Sequence, residues 1–242
     1  LLWQFDANPK VTKWILGGRG TRNNIIATPV IYDDKVYVAV GQDPEHGEGM
    51  GLLWCIDPTK RGDVSPELAV TKDDHSAIIP HRRLQAVIPE MDEEAIANPN
   101  SAVLWCYGHK TKEEYDDADF EEQMHRSCGT VAIKDDILYI SDFSGLFHCL
   151  DAQTGEKHWN YDMLAAAWGS PLIVDGHVYI GDEDGDVAIF KHSADPEVAM
   201  KDEEPLVEIN MGNSIYSTPI VANGVLYNAN QTHLFAITEG GK

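Results

Sequence analysis

Acidic residues at alternating positions form a candidate metal site in this 242-residue sequence. Asp182, Asp184 and Asp186 stand in the run Asp-Glu-Asp-Gly-Asp, and carboxylates are ligands that Ca²⁺ prefers. An EF-hand loop has glycine at its sixth position and glutamate at its twelfth, whereas here Gly185 is fourth and Ser193 is twelfth. The run therefore favours a turn between two strands, with a surface calcium ion as the alternative.

Basic side chains and thiols are further candidates for binding or chemistry. His81, Arg82 and Arg83 follow one another, and such a cluster is typical of a partner contact or of a solvated loop. Cys55 and Cys106 both follow Leu-Trp, which leaves a cross-strand disulfide or two buried thiols as the alternatives. The four cysteines form no CxxC or CxxCH motif, so the spacing excludes a zinc knuckle and a c-type haem site.

The charge balance excludes several classes of partner. Asp and Glu number 40 against 18 Lys and Arg, which gives a formal net charge of −22. A surface of that sign repels nucleic-acid phosphates, so we expect no nucleic-acid binding; it suits cations, basic partners or solubility alone. The sequence has no stretch of about 18 apolar residues, so it predicts no transmembrane segment. The chain begins at Leu1 inside a predicted strand, which indicates a processed or truncated product.

A sequence motif that recurs four times predicts the strands and turns that position these side chains. Each copy has a small residue, an apolar strand, a polar turn and a second apolar strand that contains Tyr. Asp175-Gly176 and Asn223-Gly224 are strong hairpin signals, because both central residues of a type I′ turn need positive φ. Each copy is predicted to be the first hairpin of a four-stranded antiparallel unit. The copies are 27–38, 129–140, 169–180 and 217–228.

The second copy continues into a motif that is found in a known family. Leu150-Asp151-Ala152-x-Thr154-Gly155-x-Lys157-x-Trp159 resembles the repeat of PQQ-type (quinoprotein-like) β-propellers. This family includes quinoprotein dehydrogenases and the propeller lipoproteins of outer-membrane assembly. The resemblance implies an all-β propeller of four-stranded antiparallel blades, with four blade-equivalents here as part of a seven- or eight-bladed whole. It also implies a periplasmic or outer-membrane-associated location.

The resemblance does not by itself imply a bound quinone. A PQQ dehydrogenase needs an aromatic floor, Arg and Lys for the cofactor carboxylates, a calcium site of Glu, Asn and Asp, and a catalytic Asp. It usually has a vicinal disulfide as well, and this sequence has no Cys-Cys pair. We therefore predict no cofactor, with PQQ or Ca²⁺ as the alternatives.

The spacing of the copies predicts a single propeller segment over 1–242. The interval between the second and third copies, and that between the third and fourth, each fit one blade, whereas the first interval is far longer. The excess is predicted to be two surface excursions at 58–101 and 108–123, with short helices at 93–97 and 113–124. The predicted parts are a closing or preceding-blade strand at 1–6, a blade at 24–107 with the insertion 58–101, blades at 127–162 and 167–210, and an incomplete blade at 215–238.

Residues at the start of each first strand line the central channel of a propeller. Alignment of the copies places Trp168 and Tyr216 at one level of that channel, where they are predicted to form an aromatic floor for a ligand or peptide. Packing of a narrow channel is the alternative. His125 and Arg126 are expected near the same mouth, where they are locally basic against the global charge.

These observations predict a non-enzymatic protein-binding or scaffolding module in a larger extracytoplasmic assembly. Its expected partners are other protein subunits, together with remaining propeller blades from the same polypeptide or from a second copy. Closure as a four-bladed ring is a third arrangement. A quinoprotein oxidoreductase or its remnant, and a small-ligand or carbohydrate binder at the channel mouth, are the alternative functions.

Overall fold

The computed structural model describes residues 1–16, 20–41 and 47–239. The first eight strands are β1 (Trp3–Gln4), β2 (Val30–Tyr32), β3 (Lys35–Val40), β4 (Leu52–Ile56), β5 (Gly62–Asp63), β6 (Glu67–Thr71), β7 (Glu93–Ala97) and β8 (Val103–Tyr107). The others are β9 (Ala132–Lys134), β10 (Ile137–Ser141), β11 (Leu146–Asp151), β12 (Lys157–Asp162), β13 (Leu172–Val174), β14 (His177–Gly181), β15 (Asp186–Lys191), β16 (Val207–Asn210), β17 (Ile220–Ala222), β18 (Val225–Ala229) and β19 (Leu234–Ile237). Two short helices, α1 (Lys112–Asp117) and α2 (Pro196–Ala199), lie between strands.

Each repeat forms one antiparallel sheet, and we call these sheets the first, second, third and last blade. The first blade has the order β2-β3-β4-β8, the second consists of β9 to β12 and the third of β13 to β16. The last blade has the three strands β17, β18 and β19 among the described residues. The predicted fold class, an all-β chain of antiparallel propeller blades, is confirmed.

The hairpin turns have the backbone conformation that the sequence predicts. Asp175 and Gly176 have φ of 49° and 70°, and Asn223 and Gly224 have φ of 53° and 73°. The two aspartate pairs of the earlier blades also take positive φ, namely Asp33, Asp34, Asp135 and Asp136. Type I′ turns match the twist of the strands they join, so the turn residues set the register of each first hairpin.

The core lies between blades rather than within one sheet. Between the first and second blades, Tyr37, Leu53 and Trp105 pack with Leu138 and Leu150, and all five are buried. A second cluster joins the second and third blades, and its larger members are Tyr139, Phe147, Trp159, Val178, Ile180 and Phe190. Both faces of the second blade are therefore covered, which ties the first three blades into one packed stack.

The N-terminal strand covers the outer face of the first blade. Strand β1 pairs in parallel with β5, and it does not pair with the last blade as the closing alternative for residues 1–6 expected. Phe5 meets the ring of Trp54 edge-on at 5.5 Å, and Trp54 Nε1 donates to the Ala7 carbonyl at 2.9 Å. The segment thus packs where the strand of a preceding blade would lie.

The two excursions are more regular than the sequence indicates. The helix predicted at 93–97 is wrong, because Glu93–Ala97 is strand β7 and forms an antiparallel hairpin with β6. The helix predicted at 113–124 is shorter than expected: α1 begins after a capping box of Thr111 and Glu114, and a 3₁₀ turn follows at Phe120–Glu122. Among the described helices, none is long and apolar enough to cross a membrane.

The outer face of the last blade is open. Every residue of β17 is exposed, and Ile220 and Leu234 are 59% and 70% exposed. The apolar side chains on the outer face of the last blade are thus exposed, whereas the outer face of the first blade is covered by the N-terminal segment. The two ends of the blade stack therefore present different surfaces.

Candidate functional site

Five side chains of three successive blades form a row. It lies where the turn after each second strand meets the segment that enters the first strand. We call it the mouth row, and it consists of Phe143, Trp168, Glu183, Tyr216 and Gln231. The ring centroids of Trp168 and Tyr216 lie 4.7 Å apart, and Phe143 meets the Trp168 ring edge-on at 5.3 Å. Trp168 Nε1 donates to Glu183 Oε2 at 3.2 Å, and Gln231 Nε2 donates to the Tyr216 hydroxyl at 3.1 Å. Phe143 is buried, whereas Tyr216 is 43% exposed, so the row runs from the core to the surface.

A repeated backbone arrangement positions the mouth row. The N–H groups of Phe143, Glu183 and Gln231 donate to the carbonyls of Arg126, Ala166 and Ser214 at 2.9, 3.0 and 3.0 Å, respectively. These bonds join the turn after each second strand to the chain that enters the first strand of the same blade. The Asp182 carbonyl in turn accepts from the N–H of Ile215 in the next blade at 2.8 Å. Each aromatic side chain is thus placed by two neighbouring blades.

A buried carboxylate supports the inner end of the row. Asp142 is fully buried, and its Oδ1 accepts from the N–H of Ser144 at 3.0 Å and from its hydroxyl at 2.7 Å. Its Oδ2 lies 3.1 Å from His125 Nδ1 and 3.1 Å from His148 Nε2, and His148 Nδ1 lies 3.2 Å from the Tyr107 hydroxyl. Burial alone would raise the pKa of Asp142, but the hydrogen bonds from both histidines hold it well below its usual range.

This Ser-His-Asp grouping is not arranged as a nucleophilic triad. Such a triad places serine and aspartate on different nitrogens of the imidazole, so that one nitrogen takes the proton while the other is held. Here Ser144 Oγ and Asp142 Oδ2 both contact Nδ1 of His125, at 2.8 and 3.1 Å. The geometry is that of a buried structural network, which locks the turn that carries Phe143.

The acidic run of the third blade forms a turn. Asp182 is the counterpart of Asp142, and its Oδ1 accepts from the N–H groups of Asp184, Gly185 and Asp186 at 3.0 Å each. No histidine faces it, and burial together with the nearby Asp186 raises the pKa of Asp182 to about 6. The three bonds to Oδ1 show that Asp182 stabilises the turn, as the sequence favours. In the described residues, no three His, Cys, Asp or Glu side chains are grouped to hold a metal ion.

Hydrogen bonds and ring contacts hold the His125 and Arg126 side chains in place, and Arg126 lines a cleft together with Lys112 and Tyr115. His125 and Arg126 are both buried, and the His125 ring packs against Tyr115 and Phe120 at centroid distances of 5.6 and 5.3 Å. Arg126 Nε donates to Asn23 Oδ1 at 2.8 Å, and its guanidinium also donates to the Gly20 carbonyl. Arg126 thus joins the segment that enters the first blade to the second blade, and the predicted role of His125 and Arg126 in binding a ligand or partner stays a prediction.

The cluster at 81–83 separates in space. Arg82 forms a two-pronged ion pair with Glu93, at 2.6 and 2.7 Å, and so ties its loop to strand β7. The Arg83 guanidinium lies 4.7 Å above the Trp14 ring, and His81 lines a cleft that the insertion shares with the N-terminal segment. The three side chains therefore have different surroundings and do not form one basic patch.

The cysteines are free thiols. Cys55 lies opposite Trp105 in the sheet and Cys106 lies opposite Trp54, so the alternation of strand residues puts the two thiols on opposite faces. Burial raises the pKa of Cys55 to about 11 and that of Cys106 to about 12. The cross-strand disulfide is therefore excluded by geometry in this structure.

The mouth row does not fit the quinone of PQQ enzymes. The residues around its rings are Glu183 and Gln231, whereas three carboxylates on a quinone call for Arg and Lys. The Arg126 carbonyl accepts from the N–H of Phe143, but the buried Arg126 guanidinium donates to Asn23 and Gly20. We therefore derive no redox step at this site.

Sequence reasoning found Trp168 and Tyr216 but missed the rest of the row. Phe143, Glu183 and Gln231 each follow the residue that begins the turn after a second strand, so alignment of the turns as well as of the first strands would have found them. The sequence also left out Asp142 and His148. No local pattern indicates that three polar side chains from different strands share one buried site.

Comparisons with known proteins agree with the propeller fold. The family model described as outer membrane protein assembly factor BamB, a PQQ-type model, matches residues 94–195. The crystal structure of BamB from Moraxella catarrhalis is 15% identical over 88% of this chain, with a TM-score of 0.51, and this chain spans only 43% of its length.

Two further solved structures are more distant. A europium-containing methanol dehydrogenase is 13% identical over 82% of this chain and 25% of its own, with a TM-score of 0.40. The computationally designed protein Ika4 is 9% identical over 99% of this chain and 98% of its own, with a TM-score of 0.49. Among curated protein sequences, none matches this chain. The blades described above show a β-propeller fold, and the match at residues 94–195 shows that this part of the chain is similar to the PQQ-type repeats of BamB.

Proposed function

We propose that this chain is a protein-binding scaffold module whose mouth row receives a basic segment of a partner protein. The observation that carries the proposal is the partly exposed pair of Trp168 and Tyr216, held 4.7 Å apart with the carboxylate of Glu183 beside it. Rigid aromatic side chains at the surface are the residues that most often dominate protein interfaces.

Charge favours a basic partner over a neutral one. The chain has a net charge of −22, so long-range attraction raises the rate at which a cationic segment arrives. At the mouth row an Arg or Lys side chain would stack on the aromatic faces and pair with Glu183. A cation over an aromatic ring contributes about 0.5–2 kcal/mol. The acidic carboxylate next to the rings is the feature that separates this proposal from simple apolar packing.

The wider setting is proposed from the resemblance to BamB. That protein is described as an outer membrane protein assembly factor, and we extend to this chain a periplasmic or outer-membrane-associated location in a larger assembly. The open face of the last blade supports addition of further propeller blades, either from the same polypeptide or from a second copy. The buried, fully bonded state of Asp142 and the raised pKa of Cys55 support a binding role more than a catalytic one.

Selection from a library of random twelve-residue peptides displayed on phage tests the proposal. We expect enrichment of peptides with Arg or Lys next to an apolar or aromatic residue. Trp168→Ala should weaken the binding of a selected synthetic peptide at least about tenfold, and Glu183→Gln should reduce the salt dependence of its affinity.

The matched control is Trp14→Ala, which removes a tryptophan outside the mouth row. It should leave peptide affinity unchanged. The proposal is wrong if no basic motif is enriched, or if the two tryptophan substitutions weaken binding equally. Enrichment of purely apolar peptides, indifferent to Glu183→Gln, would point instead to the face of the last blade.

A further inference from the structure

A cleft of about 360 Å³ lies between the N-terminal segment and the insertion of the first blade. It shares no residue with the mouth row. Its walls come from three parts of the chain that are distant in sequence, and the lining residues that matter are Phe5, Asp6, Lys10, Arg22, Ile25 and Ile78. Small-molecule sites are clefts of about 300–1,000 Å³, so this one has the size of a small organic ligand.

Two buried cations in the cleft wall share one carboxylate oxygen. Lys10 Nζ lies 2.9 Å and Arg22 Nη2 lies 2.6 Å from Oδ2 of Asp6. Lys10 and Arg22 are only 7% and 5% exposed, and the other oxygen of Asp6 accepts from the N–H of Asn8. This trio carries a net positive charge in a chain whose total charge is −22.

The Lys10 ammonium has further donors to offer. An ammonium carries three N–H bonds, and within the described part of the chain this one donates to Asp6 Oδ2 as its protein acceptor. A buried polar group is stable only when its hydrogen-bonding capacity is met, and a buried charge needs a counter-charge. Asp6 already supplies the counter-charge, and an anionic oxygen in the cleft would accept from the remaining N–H bonds of the ammonium.

Other charged side chains also line the cleft. The carboxylate of Asp63 also lines the cleft, but its oxygens accept from Gln4 Nε2 at 3.0 Å and from the N–H of Ser65 at 3.1 Å. Arg83 adds a cation at the rim, where it lies over Trp14. The charged lining side chains are thus the cations of Lys10, Arg22 and Arg83 and the carboxylates of Asp6 and Asp63. The Glu67 carboxylate lies beside them and accepts from the backbone N–H of Lys10 at 2.8 Å.

Apolar side chains stand at the edge of the same cleft. Ile25 and Ile78 are 52% and 59% exposed, and both line the cleft together with Phe5. A small inorganic anion would leave these surfaces in water. A ligand with an apolar body would remove them from water, which favours binding.

We propose that this cleft binds a small organic carboxylate with an apolar body. The carboxylate lies against Lys10 and Arg22, and the apolar body lies against Ile25 and Ile78. The site shares no residue with the mouth row, so this proposal does not depend on the proposed protein-binding function.

Isothermal titration calorimetry with hexanoate as the probe tests this site. We expect saturable binding of one hexanoate per chain, and at least about tenfold weaker binding of hexanamide, which has the same body without the charge. Lys10→Met keeps most of the aliphatic stem and removes the ammonium, while Arg22 still pairs with Asp6. It should lower the affinity for hexanoate at least about tenfold.

The control is Lys112→Met, which removes an exposed lysine that pairs with Asp116 within α1 and should leave the affinity unchanged. Ile78→Ser should weaken binding of hexanoate but not of acetate, and it decides the question if the Lys10 variant does not fold. No saturable binding of hexanoate, equal binding of hexanamide, or an undiminished affinity in folded Lys10→Met would overturn the proposal.

Discussion

The two buried aspartates at equivalent turns provide a matched test of what the histidine network contributes. Asp142 is fully buried and faces His125 and His148, whereas Asp182 is 2% exposed and accepts from three backbone N–H groups alone. Replacing each by asparagine keeps size and shape. The comparison therefore isolates the charge and the acceptor capacity of one oxygen.

Asp142→Asn should be strongly destabilising. The new amide nitrogen would donate where Oδ2 now accepts, so contacts with His125 and His148 are lost in a fully buried site. Removing one partner of a buried charged network costs about 3–5 kcal/mol. For a chain of this size that corresponds to a fall in Tm of about 6–20 °C, since each kcal/mol shifts Tm by about 2–4 °C.

Asp182→Asn should not destabilise the chain at pH 7, because an amide oxygen can still accept from the three backbone N–H groups and an unfavourable buried charge is removed. Urea unfolding followed by circular dichroism measures both variants against the parent chain. Equal losses for the two substitutions would refute the reasoning, since the histidines would then contribute nothing.

The same pair should differ in its response to acid. The pKa of Asp142 is lower in the folded protein than in the unfolded chain, so its contribution to stability is present above about pH 4 and is lost as the pH falls further. The pKa of Asp182 is raised to about 6, so this carboxylate destabilises the fold above pH 6, and the effect is relieved between pH 6 and about pH 4. The free energy of unfolding of the Asp182→Asn variant should therefore increase relative to that of the parent chain as the pH rises from 4 to 7.

Three further predictions concern the open face, the thiols and the turns. Leu234→Asp should reduce binding of Nile red while changing the free energy of unfolding by less than about 0.5 kcal/mol, because Leu234 is 70% exposed; a loss of stability with unchanged dye binding would contradict this. Cys55 should react with a disulfide reagent at pH 7 only after unfolding, since burial raises its pKa to about 11, and mass spectrometry of labelled peptides reports the rate. Gly145→Ala should cost about 1–3 kcal/mol more than Gly224→Ala in thermal unfolding: both have positive φ, but a Cβ at Gly145 would lie 2.8 Å from the Ala165 carbonyl oxygen, whereas Gly224 faces open space. Equal losses at the two glycines would count against the close approach.

The repeat made most of the fold readable from the sequence. Hairpins depend on neighbouring residues, and turn pairs such as Asp175-Gly176 and Asn223-Gly224 specify positive φ locally. The failures occur where pairing is not local. Glu93–Ala97 has a composition that suits a helix, yet it pairs with β6 more than twenty residues earlier, and Glu93 bonds Arg82. Tertiary contacts override weak local propensity in such a segment.

Only part of the candidate site could be predicted from the sequence, for a related reason. Trp168 and Tyr216 stand at equivalent positions, so alignment of repeats alone places them side by side. Phe143 reaches Trp168 from the preceding blade, and that contact depends on the packing angle between sheets. Alignment of the repeats placed His125 and Arg126 near the channel mouth, but it could not show that each is buried against a partner from another part of the chain, Asp142 and Asn23 respectively.

The contrast between the two ends of the blade stack bears on how the molecule associates. Between the second and third blades, Trp159 and Tyr161 of a fourth strand both lie 5.4 Å from Phe190 of the next blade. At the first blade, Phe5 of the N-terminal segment lies 5.5 Å from Trp54 in a comparable contact. The N-terminal segment therefore packs on the first blade as the fourth strand of a neighbour packs elsewhere, and the insertion strand β5 pairs with it. Within the described residues, the last blade thus presents an uncovered apolar face, whereas the first blade meets the N-terminal segment, and the cleft beside Lys10 lies between that segment and the insertion.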